Sequence, residues 1–214
     1  SASGDPSDDD DEEFTSSDED EGYSWTGWFC SRKGHEFLSH VEREFIEDNF
    51  NLYGLRALVP HYNEALDTIL DVERMDDGLS EEQKATVEAS AEYLYGLIHA
   101  RYVLTSEGLN SVLEKYYKAE YGRCPRTLCM EHPVLPAGLS DTPNEDAVKV
   151  FCPQCGGLYS SGSRLDGAFF TASLPHLLLM QYPDLRPAGA PQTYVPRVFG
   201  FRVRTSAAAA STAP

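Results

Sequence analysis

Two cysteine pairs, Cys124-Pro-Arg-Thr-Leu-Cys129 and Cys152-Pro-Gln-Cys155, stand twenty-two residues apart. Each is short enough for one turn to aim both sulfurs at a common point. Four thiolates around a tetrahedral ion is the ligand set of structural zinc. Pro125 and Pro153 follow the first cysteine of each pair, where a fixed φ helps to set the turn. Gly156-Gly157 follows the last cysteine, where a knuckle needs positive φ. Cys124, Cys129, Cys152 and Cys155 are therefore predicted to hold one structural Zn2+ per chain, with no coordination position left for catalysis. The alternative, two disulfides, needs an oxidising compartment that nothing else in the sequence suggests. His132, three residues beyond Cys129, is a bystander while four thiolates are at hand.

Charge limits the partners. The chain carries a net charge of −18, and residues 1–22 hold eleven acids and no Lys or Arg. That stretch cannot bury apolar surface and is expected to be a disordered acidic tail. The remaining 24 acids against 17 bases leave the rest mildly acidic, which argues against direct nucleic-acid binding. Thr15, Ser16 and Ser17 each have an acid three residues on, the offset that acid-directed kinases favour, so they are phosphorylation candidates. There is no signal-peptide pattern and no apolar run near about 18 residues. A soluble intracellular protein without membrane attachment is expected. Cys30, beside Trp28-Phe29, reads as a buried small hydrophobe.

The pattern predicts an α+β chain. Order begins at Tyr23-Ser-Trp-Thr-Gly-Trp-Phe-Cys30. Val41, Phe45 and Ile46 give a short amphipathic helix over 39–49, and Pro60 opens a second with a stripe of Tyr62, Ala65, Leu66, Ile69 and Leu70. An acidic loop follows, with Asp71, Glu73, Asp76, Asp77, Glu81 and Glu82 interrupted by Arg74. Ser80 and Gln83 form a capping box for a long helix reaching about Leu104, and Thr105 caps another. His99, inside the long helix, reads as a hydrogen-bonded core residue. After Gly122 come short strands at 148–151, 158–159 and 167–170, followed by the apolar run 177–180. A Pro-rich linker, 186–191, leads to a β-prone segment, 194–203. The expected divisions are a helical domain over 23–120, a zinc-bearing domain over 121–180, a C-terminal segment over 181–205 and a frayed Ala-rich tail over 206–214.

Several blocks, in this order, resemble the regulatory beta subunit of protein kinase casein kinase II. They include Trp25-Thr-Gly-Trp-Phe-Cys30, Val59-Pro-His-Tyr62, Leu94-Tyr-Gly-Leu-Ile-His-Ala-Arg-Tyr102, Leu135-Pro-Ala-Gly-Leu-Ser-Asp141 and Val195-Pro-Arg-Val-Phe-Gly-Phe201. The resemblance runs from about Tyr23 to about Val203. It implies a helical N-terminal domain, a small three-stranded antiparallel zinc-ribbon domain and an extended C-terminal docking segment. It also implies a non-catalytic homodimer that bridges two catalytic kinase subunits, stabilises them and steers substrate choice. In keeping with this, the chain has no kinase Gly-rich loop, His-Arg-Asp or Asp-Phe-Gly.

The resemblance further assigns the dimer contact to Pro125, Thr127, Leu158 and Tyr159. Docking of the catalytic subunit falls to Arg197, Phe199, Gly200 and Phe201, with Pro175, His176 and Leu177 alongside. Phe199 and Phe201, two apart on a strand, would share one face. The acidic loop would bind basic protein substrates or polyamines, and the acidic tail would be autophosphorylated. The resemblance places the protein in the cytoplasm and nucleus. The competing class is a zinc-ribbon nucleic-acid-binding or transcription-associated scaffold, which predicts a basic stripe around the cysteines. Only Arg123, Arg126, Lys149 and Arg164 are near in sequence. An enzyme built on His99, His61 and nearby carboxylates lacks a nucleophile–base spacing.

Overall fold

Ser24 caps α1 (Trp25–Ser31), its side chain accepting from the Gly27 N–H. The computed structural model describes residues 24–72, 78 and 80–203, and the chain divides after Tyr102 into two units. The acidic tail with Thr15, Ser16 and Ser17, the loop residues Glu73, Asp76 and Asp77, and the tail 206–214 lie outside the described residues.

The first unit is helical. The short helix within 39–49 is α2 (Arg43–Glu47), α3 spans Tyr62–Ile69, and α4 spans Glu81–Tyr102. The capping box forms as the sequence predicts. Gln83 N–H donates to Ser80 Oγ at 3.3 Å, and Ser80 N–H donates to Gln83 Oε1 at 2.9 Å. Leu94, Tyr95, Ile98 and His99 on α4 are fully buried. Trp25 stacks on Phe29 at 4.8 Å, and Tyr95 meets both rings edge-on. His99 is the core residue its setting predicts: its Nε2 accepts the Ser39 N–H at 2.9 Å. Cys30 is half-buried, its sulfur 3.2 Å from the Tyr95 hydroxyl.

The second unit opens with α5 (Ser106–Tyr117), capped by Thr105 through the Gly108 N–H. The helix thus groups with the cysteine region rather than with the helices before it. Its Tyr116 hydroxyl reaches His132 Nε2 at 3.0 Å. Three short strands make an antiparallel sheet in the order β1 (Leu135–Ala137), β2 (Lys149–Phe151), β3 (Leu158–Ser160). Pro136 is tolerated because β1 is an edge. Where the sequence suggests a strand over 167–170, one 3-10 turn forms at Gly167–Phe169. Asp166 caps it by accepting the Ala168 N–H at 3.0 Å. The run 177–180 lies in α6 (Leu174–Gln181), because Pro175 in the first turn has a φ suited to a helix and the Leu residues that follow are good helix formers. Gly138 backs onto Gly167 so closely that a Cβ there would meet the Gly167 oxygen at 2.4 Å. The last elements among the described residues form a two-stranded hairpin, β4 (Arg197–Val198) with β5 (Phe201–Arg202).

Candidate metal centre and interaction surfaces

Two turns, each closed by its own backbone, bring the cysteines together. In the first, a 3-10 turn at Thr127–Cys129 is bounded by Cys124 N–H donating to His132 O at 2.8 Å and Cys129 N–H donating to Arg126 O at 2.9 Å. Just beyond the pair, Met130 and Glu131 take φ of 48° and 57° and turn the backbone toward His132. In the second, Gly156 has φ 66° and donates to Cys152 O at 2.9 Å, while Cys152 N–H donates to Gly157 O at 2.9 Å. The predicted positive φ thus falls on Gly156 and not on Gly157.

The four sulfurs lie within 4.8 Å of one another, with Cys124 and Cys155 3.9 Å apart. A tetrahedral site with metal–sulfur bonds of about 2.3 Å has sulfur–sulfur edges of about 3.8 Å. A disulfide would need about 2.05 Å, and all four cysteines are free thiols converging on one point. The donor set and its geometry fit a closed, four-sulfur metal site. His132 turns away to Tyr116, as a bystander should.

The local electrostatics are uneven. Burial pushes Cys129 up to about 11 and pushes Cys152 up as well. Burial also opposes ionisation of Cys155. There the hydrogen bonds from the Tyr159 hydroxyl, the Gly157 N–H and the neighbouring thiols prevail and bring it down to about 6. Burial raises Tyr116 to about 12 and lowers His132. Four thiolates this close repel one another, so a cation is what allows all four to ionise together.

The C-terminal hairpin is the second feature. Phe199 and Gly200 form its turn, with φ of 49° and 86°, and Phe201 pairs across the strands with Val198. Phe199 therefore sits at the tip, not on a strand face shared with Phe201. The turn residue takes the left-handed conformation, which removes the alternation on which that expectation rested. The rings are 96% and 79% exposed, so neither belongs to a core strand of this chain. Arg126 of the first cysteine turn donates to Gln192 O at 2.5 Å and ties the stem of this segment to that turn.

Comparison with known proteins decides what kind of chain this is. The profile of the casein kinase II regulatory subunit matches residues 24–202. Casein kinase II subunit beta of Dictyostelium discoideum is 49% identical over 200 residues, covering 92% of this chain and 74% of that protein. The subunit beta of Schizosaccharomyces pombe is 48% identical over 196 residues, covering 90% and 84%. The subunit beta' of Drosophila melanogaster is 48% identical over 200 residues, covering 91% and 89%. The chain belongs to the casein kinase II regulatory subunit family.

A casein kinase II regulatory subunit is not the catalytic subunit, which agrees with the missing kinase motifs. Within this family member, the positions singled out by resemblance are distributed unevenly. Pro125 and Thr127 are exposed in the first cysteine turn. Leu158 and Tyr159 are neighbours on β3 and so leave it on opposite faces. Leu158 is 43% exposed, while the Tyr159 hydroxyl lies 3.2 Å from Cys155 Sγ. Pro175 is buried in the first turn of α6, His176 is exposed, and Leu177 is half-buried. Arg197 lies directly across from Arg202, both exposed.

Within the acidic loop, Asp71 serves the fold. Its carboxylate accepts the Trp25 N–H at 2.9 and 3.1 Å. Glu81 and Glu82 form the first turn of α4, where negative charge suits the helix dipole. Sequence reasoning missed the Asp71 and Tyr159 contacts.

Proposed function

We propose that the protein is a zinc-dependent homodimer that bridges two catalytic kinase subunits, stabilises them and directs their choice of substrate. The observation that carries this reading is the solvent-facing hairpin of β4 and β5 in a chain of the regulatory family. Phe199 and Phe201 leave nearly whole rings in water, and such rings are the anchors that protein interfaces bury. Val198, also exposed, continues the apolar patch, and Arg197 and Arg202 give it a positive flank.

Zinc, held by Cys124, Cys129, Cys152 and Cys155, supplies folding free energy and no reaction chemistry, because four thiolates leave no open position. The ribbon sheet has three strands of three residues. So small a sheet buries little by itself, and its exposed Leu158, with Pro125 and Thr127, suits pairing with a second copy. His176 and Leu177 add to the docking surface for the catalytic subunit. Glu81 and Glu82, with Glu73, Asp76 and Asp77 outside the described residues, are the positions for basic substrates or polyamines. Acids three residues after Ser16 and Ser17 make these the first sites of autophosphorylation.

Sedimentation of the full chain with a catalytic subunit, together with elemental analysis, tests the reading. A complex of two and two chains with about one zinc per regulatory chain is expected. A folded chain that lacks zinc and ignores the catalytic subunit would overturn it.

A further inference from the structure

Among the four cysteines, Cys155 is the half-exposed one; Cys124, Cys129 and Cys152 are buried. It is therefore the corner at which solvent, acid or a competing ligand would first reach the site. Two features converge on it. The Tyr159 hydroxyl lies 3.2 Å from Cys155 Sγ. A metal-bound thiolate carries no proton, so in the loaded site the hydroxyl is the donor. The second feature is Gly157. A Cβ built there would lie 2.6 Å from the Tyr159 hydroxyl oxygen and 2.9 and 3.0 Å from two ring carbons. Gly157 is not in the positive-φ region, so backbone freedom is not why glycine is needed at this position. It leaves room for the ring. The pairing of Tyr159 with Val150 fixes the face from which that ring departs, away from the exposed Leu158.

We propose that Tyr159 is a positioning residue of the metal centre, its ring admitted by the bare Gly157 and its hydroxyl holding the Cys155 thiolate in place. The inference rests on the zinc reading above and assigns Tyr159 a role separate from a dimer contact. Hydrogen-bond partners of metal ligands are worth roughly tenfold to a hundredfold in metal affinity. Releasing this one should speed loss of the metal through the exposed corner.

The test uses the full-length chain in three forms: wild type, Tyr159→Phe and Gly157→Ala. Tyr159→Phe keeps the ring and removes only the donor. Gly157→Ala keeps the donor and pushes the ring aside. Metal release into a chromogenic chelator should be about tenfold faster or more in either variant. The double variant should be no worse than the single ones, because both remove the same hydrogen bond. Cobalt(II) substitution supplies a readout that packing alone does not move. Loss of a donor to sulfur should shift the thiolate-to-cobalt charge-transfer band to longer wavelength in Tyr159→Phe. Sedimentation of each variant follows the dimer independently. Unchanged release and an unchanged band in Tyr159→Phe would overturn the inference while leaving the zinc reading intact. A folded wild type that takes up neither zinc nor cobalt would overturn both.

Discussion

Replacing Phe199 by Asn separates the ring from the turn that carries it. Phe199 and Gly200 both have positive φ, 49° and 86°. A two-residue hairpin turn of this kind favours Asn-Gly. A bulky residue in the left-handed region is strained by about 1–2 kcal/mol. Asn should therefore keep or strengthen the hairpin while deleting the aromatic side chain. The strain is present in the free chain and the complex alike, so its relief cannot mask the loss of the ring. Phe199 is 96% exposed, so nearly all of its surface is available to a partner. Full burial of a Phe stabilises by about 1.5–3 kcal/mol, and truncating an anchor of this type costs about 2 kcal/mol or more. The expected loss of affinity for a catalytic subunit is about thirtyfold. Calorimetric titration of that subunit into wild type, Phe199→Asn, Phe199→Ala and Phe201→Ala measures it, and sedimentation of each variant alone monitors the dimer. All three should bind about thirtyfold more weakly as intact dimers. Wild-type affinity in Phe199→Asn alongside weak binding by Phe199→Ala would show that the turn, not the ring, matters. A collapsed dimer in any of them would place the hairpin in the wrong interface.

Chelating the metal, or replacing Cys124 by Ala, should unfold the ribbon and abolish the dimer, because metal binding at such a site is folding free energy; circular dichroism and sedimentation that stay unchanged would refute this. Asp71→Ala deprives the Trp25 N–H of its carboxylate and should destabilise the first unit by about 1–3 kcal/mol in thermal unfolding, whereas Asp71→Asn, which keeps one acceptor oxygen, should lose less. Arg197 faces Arg202 across the hairpin, a pairing that is unfavourable until an acidic partner meets it. Association with a catalytic subunit should therefore slow as salt rises, and Arg202→Gln should flatten that dependence. Burial holds His132 below its usual value, so the unfolded chain takes up a proton that the folded chain resists. The stability this provides is present above about pH 6.5, the unfolded value, and is lost as pH falls from there through the folded value. The melting temperature of wild type should drop over that window more than that of His132→Gln, and equal drops would rule the assignment out.

What could be read from the sequence depended on how local the cause was. The two cysteine turns are covalent short-range constraints, and spacing alone announced them. The Ser80–Gln83 box and the Thr105 cap are likewise decided within four residues. The strands β2 and β3 show as short apolar runs, but β1 hides behind Pro136, which is acceptable only because the strand lies at an edge. The helix α6 and the 3-10 turn at Gly167–Phe169 were harder for another reason. An apolar run of four or five residues carries no period, so Pro175 and the capping Asp166 were the usable signals. The bond between Asp71 and Trp25 spans forty-six positions, and no local pattern announces it.

The candidate site shows the same division within a single pair of residues. Leu158 and Tyr159 come from the resemblance as one dimer contact, yet consecutive residues on a strand cannot face the same way. Alternation alone therefore assigns them different surroundings before any distance is known. Leu158 takes the exposed face, and Tyr159 takes the face that leads to Cys155. The glycine ahead of them looks like part of a knuckle until its space is examined. Its place is then explained by the ring it must admit. A change at 157, 158 or 159 thus acts on the metal centre or on the exposed face according to the parity of its position. That parity predicts that Leu158→Ala weakens self-association without speeding metal release, while Tyr159→Phe does the reverse. If both variants lose metal equally fast, the two faces are not separate and the argument from alternation fails.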